Sequence, residues 1–404
     1  MKFGIAIAVV LVAAVALAQF QELPPPPTGT QSVVVIHGDA PVFLAPRRGA
    51  TRRGTLARGA RFPLLRRVAG TGCSTRSWAE IEPGVFVCEG DVRPSPLPPS
   101  TRAYPVMEGR DLLPHDYGFV ATDGTRAYAH PSDYFADQYM EALGEGFGVI
   151  LTGHTVFDGV PFLRTRRRMW IEAGEVRRAR GSEFSGVALE GPLDVGFVKT
   201  RSARVHQRRG GRVIRQAGRR TVVHVAQIDR GWAELKNGEW MRARDLAIAQ
   251  PAPVPDGVPE GGTWIDVDVR RQVLVAYRGE TPVYATLVST GKRRRTHETP
   301  PGLHRIWVKL AFSDMDNLER EDLETNYAIE RVPWVQYFEG SNGLHAAFWH
   351  DDFGRRKSHG CVNLSPQDAR ALYEFSEPAM PPGWTAIFPR DTDEDEPATY
   401  VWVH

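Results

Sequence analysis

The sequence predicts a mainly β protein: a series of small strand-built modules followed by a larger β-rich domain with one or two short helices. Two observations carry this prediction. Apolar and polar residues alternate over short runs such as Ser32 to Ile36, Ala40 to Leu44 and Thr221 to Ile228, each bounded by Gly or Pro as half-buried strands are. The 404 residues also include 39 Gly and 31 Pro, a turn-rich composition that leaves little room for long helices.

Composition sets the outer limits. A chain of 404 residues accommodates two or three domains of ~100–200 residues each. With 42% hydrophobic and 24% charged residues it is a folding chain, not an intrinsically disordered one. Lys and Arg total 50 against 48 Asp and Glu, a net charge of +2, so no overall field recommends nucleic acid as a partner.

At the N-terminus, residues 1–18 carry one cation and an unbroken apolar run that ends in Ala16-Leu17-Ala18. This is the pattern of a secretory signal peptide cleaved after Ala18. A retained anchor is the alternative, but the run is shorter than the ~20 residues a spanning helix needs. No later stretch is long and apolar enough to span a bilayer, so no transmembrane segment is expected after cleavage. The expected location is the periplasm or cell envelope. Export implies an oxidising compartment, in which the three cysteines separate by position. Cys73 and Cys88 flank a predicted hairpin and are the expected disulfide; two reduced, buried thiols are the alternative. Cys361 is left over as a candidate reactive thiol.

Proline-rich stretches divide the remainder. Residues 19–31, 94–99 and 251–262 read as extended linkers. Between them, Trp78-Ala79-Glu80-Ile81 recurs as Trp232-Ala233-Glu234-Leu235, with Trp170-Ile171-Glu172 as a middle copy. These segments resemble bacterial SH3-like modules at 32–93, 105–192 (with an insertion from Pro131 onward) and 193–250. The resemblance implies modules that either hold a wall polymer or act as a spacer. Between Asp194 and Asp229 no acid occurs, while Lys199, Arg201, Arg204, Arg208, Arg209, Arg212, Arg215, Arg219 and Arg220 do. They form either a surface for an anionic polymer or membrane face, or solvated loop cations. Residues 391–404 comprise an acidic run and a strand-like segment, Ala398 to Val403, expected to pack back onto the small modules.

From Thr263 the strands strengthen: Trp264 to Val269 and Gln272 to Tyr277 form a hairpin, and Val283 to Val288 and Leu303 to Leu310 continue the pattern. Ser365 as N-cap and Pro366 at the first helical position open a helix over 366–376. Just before it stands Ser358-His359-Gly360-Cys361-Val362-Asn363, with Gly343-Leu344-His345 upstream. A neighbouring His favours a thiolate, and Gly360 lets the backbone turn so that its N–H and that of Cys361 face a developing oxyanion.

This arrangement resembles the L,D-transpeptidase (YkuD-type) catalytic domain. The resemblance extends over 263–390 and includes Gln272, Val288-Ser289-Thr290-Gly291, Thr299-Pro300-Pro301-Gly302 and Val332-Pro333-Trp334 in order, although twelve residues between His345 and Ser358 are slightly fewer than usual. It implies Cys361 as nucleophile, His345 as base with its second nitrogen held by a carbonyl near Ala346, and His359 as shaping the oxyanion hole or tuning the thiolate, or else as structural. His350 reads as loop scaffolding. Trp334, Tyr337 and Trp349 are either walls of a substrate channel or core aromatics, and Ser358 and Asn363 are candidate substrate contacts. A metal held by His345, His350, Asp351 and Asp352 has suitable ligand types but no supporting spacing, so none is expected, and no cofactor. The implied substrate is a peptidoglycan stem peptide, the expected state a monomer. A chain beginning near Pro259 is expected to fold alone.

Overall fold

The computed structural model describes residues 20–107, 111–293, 297–318, 327–390 and 396–404. The expected signal peptide at 1–18 and the acidic run at 391–395 lie outside them. The chain is mainly β, with one α-helix among the described residues, and no described helix is long and apolar enough to cross a membrane. The described residues divide into two compact units, one within 20–52 and 58–100, the other within 53–57 and 101–404.

In the first unit, Ser32–Val35 pairs with Arg61–Phe62 and Val92–Ser95, and the hairpin Ser77–Glu82 to Val85–Cys88 pairs onward with Arg66–Ala69 and Ala40–Phe43. Alternation buries Trp78, Phe86, Val68 and Phe43 together. Cys73 and Cys88 are disulfide-bonded there, with Cα atoms 5.5 Å apart. Residues 20–31 are not a free linker: the Leu23 amide donates to the Arg67 carbonyl, the Ala69 amide to the Gln21 carbonyl, and Phe20 sets its edge on Phe86.

The second unit begins with two small antiparallel assemblies. In the first, strands Asp116–Val120, Gly148–Phe157, Val160–Thr165, Trp170–Glu172 and Val176–Arg178 surround Val120, Leu151, Leu163 and Ile171. The segment from Pro131 forms a 3₁₀ turn between the paired strands Thr125–Ala127 and Glu141–Leu143. The second assembly spans Val195–Val198 to Leu246–Ile248 around Val205, Ala233, Leu235 and Met241.

Register corrects the expected repeat. Trp78 lies opposite Cys88, Trp232 opposite Arg242, and Phe162 opposite Glu172. Phe162 therefore occupies the place of the two tryptophans. Trp170, opposite Arg164, corresponds to Trp240 and Phe86, which lie opposite Glu234 and Glu80. The repeating unit is the hairpin, and its apolar anchor changes from Trp to Phe.

The remaining strands are β1 (Thr263–Asp268), β2 (Val273–Arg278), β3 (Thr281–Leu287), β4 (Gly302–Arg305), β5 (Val308–Asp316), β6 (Ala328–Glu339), β7 (Asn342–Ala346), β8 (Val362–Leu364), β9 (Trp384–Ile387) and β10 (Tyr400–Val403), with helix α1 (Pro366–Phe375). One sheet runs β3-β2-β1-β10-β4, extended past β3 by Val187–Ala188. A second joins β8, β7, β6, β5 and β9. Ile265, Val267, Leu274, Leu344, Val362, Val401 and the Ala369, Leu372 and Tyr373 side of α1 form the core between them. Ser365 caps α1 by accepting from the Asp368 amide at 3.2 Å.

Three expectations change here. The strand 400–403 does not return to the small modules: it runs parallel to β1 and antiparallel to β4, inside the larger domain. The 251–262 segment is packed, with Ala252, Val254 and Val258 against the β1–β3 face. The larger domain also does not close its own core, because Val195, Phe197, Ala247 and Ala249 share that face with Trp264, Val275 and Tyr277. Tyr117, Phe119 and Ile150 likewise cover Val332, Val335 and Phe348.

Candidate active site

Three neighbouring strands assemble the site. Tyr337 on β6 lies opposite Gly343 on β7; β7 and β8 run parallel with Leu344 beside Val362 and His345 beside Asn363. Extending that register sets Cys361 beside Gly343 and puts His345 diagonally across from Cys361 on the same face, because side chains two apart point the same way. The opposite face, Leu344, Ala346, Val362 and Leu364, belongs to the core. Gly343 keeps the rung open, since a Cβ there would lie 2.9 Å from the Tyr337 ring and 2.7 Å from the Gln336 carbonyl.

Cys361 is the free cysteine and is half-buried. Its thiol donates to the Ser341 carbonyl at 3.6 Å. Burial pushes the thiol up from its ordinary value, and the Gly343 amide opposes this. His345 is buried, and its Nδ1 lies 3.1 Å from the Ala346 carbonyl. A carbonyl only accepts, so Nδ1 carries the proton and Nε2 keeps its lone pair, the tautomer a base requires. Burial lowers His345 to about 4, so the ring is neutral at neutral pH. Trp349 stacks on it at 5.7 Å and 26°.

The turn before Cys361 is stitched to itself. Ser358 Oγ donates to the Cys361 carbonyl at 2.5 Å and accepts from the Gly360 amide at 3.2 Å. The Gly360 N–H is thus occupied and does not stand open beside Cys361 as an oxyanion donor. Ser358 is buried in the same bonds, which makes it a strut of the turn. The turn in turn hangs from Thr290, whose carbonyl accepts from the Lys357 and Ser358 amides. Gln272 fixes Thr290, accepting from its amide at 2.9 Å and donating to its hydroxyl at 2.5 Å. His359 is packed by His297, 4.4 Å away and edge-on, and by Tyr327 at 5.8 Å.

Asn363 is buried against His350, with its side-chain amide 3.0 Å from His350 Nε2. His350 Nδ1 accepts from the Asp352 amide at 3.2 Å. Burial and the Lys357 charge hold His350 to about 4, so it carries one proton, which sits on Nε2, and the Asn363 oxygen must face it. Both residues are scaffolding. Trp334 is likewise no channel wall: it is 2% exposed within the core cluster. Plain alternation along β6 separates the two faces: Trp334 shares the core side with Phe338, while Val335 and Tyr337 face the other way. Tyr337 sits beside Cys361, which helps raise its phenol together with burial; it meets Ser313 Oγ at 3.1 Å and stacks on the exposed Trp307 at 5.9 Å.

Sequence reasoning missed the outer supports. Asp352 is bound by Lys357 at 2.5 Å and by Arg219 at 3.3 Å, and Asp351 by Arg220. Arg209 and Arg215 of the basic run also meet carboxylates, Asp229 and Glu239. Among the described residues no three His, Cys, Asp or Glu side chains converge as a metal site.

A half-buried thiol and a neutral imidazole lie diagonally across neighbouring strands, the residue types that cysteine acyl transfer uses. Residues 262–387 match the family model of the L,D-transpeptidase catalytic domain, YkuD, so this part of the chain is such a domain. No curated protein matches the chain. Solved structures with a similar part include an Enterococcus faecium L,D-transpeptidase mutant (22% identity, 36% of this chain, 50% of that one, TM-score 0.27). Others are L,D-transpeptidases from Xylanimonas cellulosilytica (21%, 38%, 64%, 0.24) and Stackebrandtia nassauensis (24%, 37%, 60%, 0.25). The chain therefore spans between half and two-thirds of the length of these relatives.

Proposed function

We propose that the protein is an exported peptidoglycan L,D-transpeptidase. Cys361 attacks the carbonyl of the third residue, a diamino acid, in a stem tetrapeptide while His345 takes the thiol proton. D-Ala leaves with that proton, a thioester forms, and an amine of a second stem peptide or a protein resolves it. The cleaved amide supplies the energy, so the reaction needs no cofactor. The observation that carries this reading is the fixed tautomer of His345 beside the free thiol. A raised thiol pKa means that the thiol enters the reaction protonated, and a neutral base in reach meets that need. Tyr337 and Trp349 flank the thiol and base as substrate contacts, and His359, beside the turn, shapes the hole in which the oxyanion forms. The three small assemblies are SH3-like modules, and those within the second unit support the catalytic sheet directly.

Incubation with purified muropeptides, followed by mass spectrometry, tests the reading. D-Ala loss with dimer gain is expected from the wild type and is absent from Cys361→Ala; a carbapenem should add covalently at Cys361. D-Ala loss without dimers would make the enzyme a carboxypeptidase, and dimer cleavage a cross-link hydrolase. No change in any muropeptide would leave a non-catalytic wall-binding protein.

A further inference from the structure

The loop after β7 carries Trp349 and His350 and then two acids, Asp351 and Asp352, and the third small assembly binds both acids. Arg219 Nη1 donates to Asp352 Oδ1 at 3.3 Å while its Nη2 donates to the Phe353 carbonyl at 3.0 Å. Arg220 pairs with Asp351 and donates to Ser182 Oγ at 3.2 Å, and that hydroxyl also donates to Asp351. The two arginine side chains are 20% and 24% exposed. Arg220 has a backbone φ of 68° in the tight turn between the strands Val213–Gly218 and Val222–Asp229, which the Thr221 amide closes onto the Gly218 carbonyl.

From those acids the path inward is short. The Asp352 amide donates to His350 Nδ1, and its carbonyl accepts from Ser289 Oγ at 3.0 Å. His350 meets Asn363, which sits beside His345, and Trp349 stacks on His345. We propose that Arg219 and Arg220 are positioning residues for the cysteine chemistry: by neutralising and anchoring Asp352 and Asp351, they hold the 349–353 loop so that Trp349 and His350 keep His345 aligned on Cys361. This rests on the roles proposed above for Cys361 and His345. Ion pairs whose carboxylates stay 35% and 54% exposed are screened by solvent and contribute little to global stability, whereas a displacement of about 1 Å in a reacting pair costs about a hundredfold in rate. The loss should therefore fall on turnover.

The test uses the full chain. Arg219→Ala with Arg220→Ala should lower kcat for D-Ala release from a soluble tetrapeptide at least tenfold. KM should stay within twofold, and the thermal midpoint within a few degrees. Arg220→Asp should lose a similar factor, and adding Asp351→Arg, which rebuilds the pair with reversed polarity, should recover most of it. Iodoacetamide alkylation of Cys361, which needs no substrate, should slow in the double alanine variant. An unchanged kcat in that variant, or an Arg220→Asp loss that Asp351→Arg leaves uncorrected, overturns the proposal. Should the double variant lose its melting transition, the reversed pair decides alone. Should the wild type release no D-Ala, the transpeptidase reading falls, and alkylation decides the positioning role: slower supports it, unchanged overturns it.

Discussion

A Cβ at position 360 would lie 2.1 Å from Asn342 Oδ1, and Gly360 holds a φ of +132° that L side chains rarely adopt. The amide end of Asn342 can swing aside, but the backbone cannot, so Gly360→Ala should cost ~1–3 kcal/mol and displace Cys361. The expected result is at least a tenfold loss of kcat/KM with a modest fall in melting temperature, measured by steady-state kinetics and calorimetry. His345 makes a second prediction. Burial holds it at about 4, so it remains a competent base well below its ordinary value of 6.5. Acylation rates measured from pH 4 to 9 should fall only as pH approaches about 4, and an inflection near 6.5 would show that the base is not this buried imidazole. At this scale the sequence was readable where neighbours in the chain are neighbours in space. The turn from Ser358 to Cys361 is contiguous, so its candidate nucleophile stands out. For Trp334 alternation sets it on the face opposite Tyr337, but which of the two faces meets the core is decided by α1 and the facing sheet, far away in sequence.

Helix α1 was legible at its start, since Ser365 and Pro366 act on their own turn. Its other end depends on a residue far away in sequence. Lys309 on β5 is fully buried, and its Nζ donates to the carbonyls of Tyr373, Ser376 and Pro378 at 2.8, 2.7 and 3.0 Å. Burial lowers this lysine to about 7. These acceptors gather at the end of α1: Tyr373 in its last turn, Ser376 at its C-cap and Pro378 just beyond, where helix carbonyls lack intrahelical partners. Lys309→Met fills the space but removes the donor these carbonyls share, leaving Tyr373 with the long bond from the Ser376 hydroxyl at 3.4 Å, and should cost roughly 2–4 kcal/mol. Urea unfolding should show a lower midpoint with an unchanged slope; an unchanged midpoint would mean that the carbonyls find other donors. No local pattern announces such a lysine, which in sequence sits in an ordinary strand. The same holds for β10, whose alternation marks a strand but cannot say that β1 is its neighbour.

For the whole molecule, buried neutral histidines link stability to pH. His345 and His350 are both held to about 4 against an ordinary 6.5, so between these values the unfolded chain binds more protons than the folded one. Their contribution is complete above 6.5 and is lost as pH falls toward 4. The melting temperature should drop through that window, and less steeply in His350→Gln. The greatest departure from the sequence reading concerns independence. Pro-rich boundaries suggested a catalytic domain able to stand alone from about residue 259, because linker composition is visible in sequence and shared burial is not. A protein of residues 259–404 would lose Val187–Ala188 from the open edge of β3 and, from β9, its partners Gly54 to Leu56 in the strand Arg52–Leu56. It would also expose Tyr277 and Val275, now covered by Phe197 and Ala249, and Val335 and Phe348, now covered by Tyr117 and Ile150. Exposed sheet edges beside apolar patches favour association. We therefore expect the truncated protein to aggregate or to melt at least 10 °C below full length, and to release little D-Ala from a small soluble tetrapeptide. A protein beginning at residue 101 keeps these covers apart from the strand Arg52–Leu56, and should retain most of that activity. Equal activity and melting of the 259–404 protein and the full chain would show that the catalytic sheet needs none of these partners.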